Sequence, residues 1–144
     1  MHPLGIVKAN LIGLAAAFAT QAILASTMAL AQENEALRPV TEAGVTYVSG
    51  GIGEDETTAI RAMAPKFNLD LVFAQKNGTY LSDVDVVVMS STGAQIVALK
   101  TNGPILLIRV APGRYLVTAT ADQAKQTRWV TVPAHGRAHL SLHW

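Results

Sequence analysis

Residues 111–121 read Ala111-Pro112-Gly113-Arg114-Tyr115-Leu116-Val117-Thr118-Ala119-Thr120-Ala121. Pro112-Gly113 makes a turn, and a period of two follows it. Tyr115, Val117, Ala119 and Ala121 fall on one face of an extended chain, so this is a half-buried strand whose tyrosine enters facing the core. The same alternation extends to both sides. Upstream, Leu69, Leu71 and Phe73 alternate with Asp70, Val72 and Ala74. A turn at Lys76-Asn77-Gly78 leads into Tyr80–Ser90, where Val84, Val86 and Val88 oppose Asp83, Asp85, Val87 and Met89. Ser91-Thr92-Gly93 leads into Gln95–Leu99, and Thr101-Asn102-Gly103-Pro104 into Ile105–Val110. Downstream, Asp122-Gln123-Ala124 separates the quoted strand from Gln126–Val132, and Pro133 to Gly136 precedes Arg137–His143. Seven strands punctuated by turns, with no helices between them, predict a mainly β protein, a seven-stranded antiparallel β-sandwich.

One stretch has a helical period. Glu54, Asp55 and Glu56 crowd a first turn, where the helix dipole favours carboxylates, and Arg61 falls near the other end. Ile60, Met63, Ala64 and Phe67 share a face, and Pro65 stops the helix at about Ala64. A helix over about 54–64 is too short to hold alone and must dock on the sandwich. Residues 32–48 are expected to be a flexible lead-in, with Val45–Val48 as a short strand within it, and residues 49–144 a single domain.

Residues 1–31 have the layout of a cleavable secretory signal. Lys8 is their one charged side chain, Leu11–Ala19 is apolar, and Ala29-Leu30-Ala31 places small residues at the −3 and −1 positions before Gln32. Thr20, Gln21, Ser26 and Thr27 weaken the stretch as a permanent membrane span. Of the 144 residues, none is cysteine, which excludes disulfides, thiol nucleophiles, iron–sulfur clusters and lipoprotein acylation. A signal without cysteine fits a bacterial periplasm, with no stable membrane anchor after cleavage. Charged residues are 15% and the net charge is +1, so there is no electrostatic footprint for nucleic acid.

The run from Ser82 to Val132 resembles the carboxypeptidase regulatory-like domain, a transthyretin-like (prealbumin-like) seven-stranded sandwich. Asp83-Val84-Asp85-Val86, the turn glycines Gly93 and Gly103, and Ala111-Pro112-Gly113-Arg114-Tyr115-Leu116-Val117-Thr118 carry the resemblance. The stretch from Ser49-Gly50-Gly51-Ile52-Gly53-Glu54 through Asn68-Leu69 and Phe73-Ala74 to Trp144 is similar to a group of secreted proteobacterial proteins that carry this domain. The resemblance implies a non-catalytic accessory or interaction module. The turn before Ile105 departs from the pattern, with Thr101-Asn102-Gly103-Pro104 where an aspartate is usual, which weakens any calcium-like role there. A transthyretin-type hydroxyisourate hydrolase would end in Tyr-Arg-Gly-Ser, whereas this sequence ends in Ser141-Leu142-His143-Trp144.

The remaining polar motifs have structural readings. Gly50-Gly51-Ile52-Gly53 opens the helix but lacks the Lys-Ser/Thr of a phosphate loop, and Glu54, Asp55 and Glu56 would repel an anion. Asn77-Gly78-Thr79 matches a glycosylation sequon but reads better as a hairpin turn. His139 and His143 share a strand face about 13 Å apart, too far for one metal ion. His135 lies in the preceding turn, and the three are read as a solvated face. Asp83 and Asp85 sit about 7 Å apart on one strand face, and their alternation marks the polar exterior of a sandwich rather than a catalytic pair. No cofactor, metal site or catalytic residue is expected.

What is left is surface. Trp129, Val87 and Met89 point away from the core, either to be covered by the helix or to form a contact patch, and the helix cover is the expected outcome. The sequence therefore implies a binding module whose partner is another envelope protein. The alternatives are a carbohydrate or peptidoglycan (cell-wall glycan) module, in which Trp129, Tyr80 or Trp144 stacks on sugar, and thirdly an enzyme.

Overall fold

The computed structural model describes residues 37–144. The stretch read as a signal and its expected cleavage site at Ala31 lie outside the described residues. Among the described residues, no helix is long and apolar enough to cross a membrane. The order is β1 (Val40–Glu42), β2 (Val45–Gly50), α1 (Glu54–Met63), a 3-10 turn (Ala64–Lys66), β3 (Leu69–Ala74), β4 (Asp85–Ser90), β5 (Gln95–Lys100), β6 (Ile105–Arg109), β7 (Gly113–Ala121), β8 (Ala124–Val132) and β9 (Ala138–His143). The strands form two sheets, ordered β1-β2-β6-β3-β9 and β5-β4-β7-β8. Their facing sides share one apolar core, so the chain is mainly β and sandwich-like.

The core follows the alternation. Leu69, Leu71 and Phe73 of β3, with Leu106 and Ile108 of β6, meet Val86 and Val88 of β4 and Tyr115, Val117 and Ala119 of β7. Residues 105–108 are buried without alternation, because β6 lies between the core and the helix layer. On that outer side Ile105 and Leu107 join Val48, Ile60, Ala64 and Phe67 in a second apolar cluster. The helix therefore covers the five-stranded sheet. It does not cover Trp129, Val87 and Met89, which belong to the other sheet. The reason is local: α1 follows β2 directly and packs back onto the sheet that β2 joins.

Other expectations change in detail. The lead-in expected over residues 32–48 is a hairpin from Val40 onward. Ala43 (φ +50°) and Gly44 (φ +80°) take the positive angles of a tight two-residue turn, and β2 runs on through Ser49 and Gly50. The described strands number nine: the seven of the sandwich reading, the short strand expected at Val45–Val48, and β1, which pairs with it. One pairing is parallel, β9 beside β3. Pro133 cannot extend the β8 ladder, and the chain crosses to the other sheet through Gly136 (φ +99°) before β9 begins.

The strand expected at Tyr80–Ser90 begins only at Asp85, because Asp83 (φ +56°) is left-handed and breaks the extended chain. Asp83 and Asp85 therefore do not share a strand face. Pro65 ends α1 at Met63, and the chain adds the 3-10 turn before β3. Gly103 is required by close packing: a Cβ there would lie 2.4 Å from the Gly50 carbonyl group.

Candidate functional site

The β7–β8 hairpin positions the candidate surface. Its turn is Asp122-Gln123, both at positive φ, and it sets Ala121 opposite Ala124. That register places Leu116 opposite Trp129, and β4 continues the row with Met89 opposite Leu116. Val87 lies in the next row, between Ala98 of β5 and Thr118 of β7. The odd-numbered residues Tyr115, Val117 and Ala119 face the core, so Leu116 and Thr118 face away from it. The outer face thus carries a band of Trp129, Leu116, Met89 and Val87.

Trp129 is 48% exposed. The Arg114 guanidinium lies over its ring, 4.4 Å from the centroid. Arg114 is the register partner of Thr131, so it reaches Trp129 diagonally across the pair. Lys125 lies opposite Thr120 on the same face, and Asp85 meets Lys100 at 3.8 Å. The face is therefore apolar at its centre, with Arg114 and Lys125 near its β8 edge.

Beneath it, Tyr115 anchors the strand. Its hydroxyl donates to the Ala111 carbonyl at 2.5 Å, closing the Ala111-Pro112-Gly113 turn. Burial pushes the Tyr115 pKa above the usual tyrosine value. Burial, followed by the nearby charge and hydrogen bond of Glu42, raises Tyr47 as well.

The other aromatic candidates lie elsewhere. Tyr80 is exposed in the β3–β4 connection, where it bridges Ala74 of the five-stranded sheet. Trp144 packs on Phe73 with ring centroids 6.3 Å apart and donates its indole N–H to the Ala124 carbonyl at 2.8 Å. Trp129, Val87 and Met89 are thus brought together, and Tyr80 and Trp144 are not part of that face. Sequence reasoning missed Arg114 and Leu116. Their signal was the two-residue turn at Asp122-Gln123, which determines what lies across from Trp129.

The glycine loop holds its own anion. Glu56 Oε1 accepts hydrogen bonds from the Gly51 and Ile52 backbone N–H groups at 3.0 and 3.4 Å, which occupies the donors a phosphate would use. His139 lies 3.4 Å from Asp70 and within hydrogen-bond distance of Ser141. His143 is engaged through its backbone carbonyl, which accepts from Gln126 at 2.5 Å. Among the described residues, no three His, Asp or Glu side chains are grouped as metal ligands would be. No protein-family model matches the chain, and no curated protein matches it.

Proposed function

We propose that this protein is a non-catalytic binding module of the bacterial envelope, of the transthyretin-like, carboxypeptidase regulatory-like kind, exported by its N-terminal signal. Its contact surface is the outer face of the four-stranded sheet. The observation that carries this reading is the outer-face band of exposed Trp129 and half-buried Leu116, Met89 and Val87, with α1 docked on the opposite sheet. Arg114 and Lys125 beside that band favour a protein partner whose apolar patch is edged by carboxylates.

A protein fits this face better than a glycan. Sugar stacking needs an open ring face, and Arg114 already stacks on Trp129. Trp144 is tied into the sandwich edge, and Tyr80, which bridges Ala74 beside it, lies off the Trp129 face.

The test is crosslinking capture from native envelope extract, comparing the wild-type protein with Trp129→Ser and Met89→Ser. The same partner should be captured by the wild type and lost from both variants while their folds persist. Equal capture by all three proteins refutes the surface. Self-association that the variants abolish would identify a second copy as the occupant instead.

A further inference from the structure

At one end of the sandwich, where the 3-10 turn meets the end of β6 and the β8–β9 connection, lies a hollow of about 490 Å³. Lys66, Arg109 and Arg137 line it from these three separate segments, and no acidic residue does so among the described residues. The two guanidinium groups are already held. Arg109 donates through Nε to the Lys66 carbonyl at 2.8 Å, donates to the same oxygen through Nη2, and lies over the Phe67 ring at 5.7 Å. Arg137 donates through one terminal nitrogen to Asp70 at 3.1 Å. Arg109 is thus fixed along one edge and Arg137 at one nitrogen. The remaining N–H donors of both side chains make no hydrogen bond among the described residues, and neither does the Lys66 ammonium. Pro65, Phe67 and Pro133 supply apolar walls.

We infer that this hollow is a binding site for a phosphate monoester, independent of the interaction face proposed above. Lys66 and Arg109 have no acidic partner among the described residues, and Arg137 keeps free donors beside its ion pair with Asp70, which favours an anion of more than one charge. Planar guanidinium forks match the paired oxygens of phosphate, and their prior fixation reduces the entropy lost on binding. The volume falls in the range of small-molecule sites, and the proline and phenylalanine walls suit an ester with an apolar group. A soluble ester and the headgroup of a phosphatidic acid present the same chemistry.

The test is a titration of the folded protein with phenyl phosphate, followed through the backbone amide signals of Lys66, Phe67 and Gly136. Saturable shifts are expected, with inorganic phosphate and benzoate each binding about tenfold more weakly. Lys66→Ala, whose side chain holds no partner among the described residues, should weaken phenyl phosphate binding by about fivefold, and Arg109→Gln by more than about tenfold. Lys125→Ala, a charge change on the other sheet, should leave it unaltered. Competition by phenyl phosphate against phosphatidylcholine vesicles doped with phosphatidic acid assigns the site to a lipid headgroup; binding in solution without vesicle association assigns it to a soluble ester. Absence of saturation, or equal weakening by Lys66→Ala and Lys125→Ala, overturns the inference.

Discussion

Arg114 and Trp129 are diagonal neighbours across the β7–β8 pair, with the guanidinium carbon 4.4 Å from the indole centroid. The contact stands on the open face of the sheet and holds the largest exposed apolar side chain of that face in a fixed position. Its energetic signature is that of a surface cation–π pair. A double-mutant cycle of Arg114→Ala and Trp129→Ser should give a coupling of about 0.5–1 kcal/mol in denaturant unfolding. Additive effects of the two substitutions would mean that the stack contributes nothing.

The location of the helix makes a second prediction. Ile60 is fully buried between α1 and the five-stranded sheet, whereas Met89 is half-buried on the outer face of the other sheet. Ile60→Ala should lower stability by about 2–5 kcal/mol, and Met89→Ala by less than about 1 kcal/mol. Equal losses would contradict the helix docking described above.

Tyr115 supplies a third. Tyr115→Phe removes the hydrogen bond to Ala111 and should lower stability by about 0.5–1.5 kcal/mol near neutral pH. The raised pKa adds a pH dependence. The fold favours the neutral phenol, so this contribution is complete below the ordinary tyrosine value and is lost as pH rises through the folded-state value. Unfolding curves should therefore show the wild type losing its advantage over Tyr115→Phe as pH rises above about 10. Tyr47, also raised, contributes equally to both proteins. A constant difference at all pH values would contradict the burial of the phenol.

Much of the sandwich was legible because its strands bury one face. Tyr115, Val117 and Ala119, or Leu69, Leu71 and Phe73, can satisfy burial in one register alone. The parallel seam was not legible. Period two says which way Leu140 and Leu142 point but not which neighbour β9 chooses, and its place beside β3 depends on the crossing at Pro133–Gly136. Val45–Val48 was legible as a strand, but its partner β1 was hidden because that strand is three residues long and exposed, and Ala43 is an uncommon residue at positive φ.

For the site, outward Trp129, Val87 and Met89 followed from alternation. Arg114 and Leu116 required the hairpin register, and reading a three-residue separator at 122–124 obscured it. The phosphate hollow was illegible for a different reason. Lys66, Arg109 and Arg137 are far apart in sequence and meet only through tertiary packing.

The central claim is that the outer face of the four-stranded sheet is the contact surface. Site-specific photocrosslinking in the native envelope tests it most directly, with a photoreactive amino acid placed at Thr118 on that face or at Thr58 on the exposed side of α1. The account predicts one discrete protein adduct from position 118 and none from position 58. An adduct from position 58 alone, or none from position 118, would contradict it.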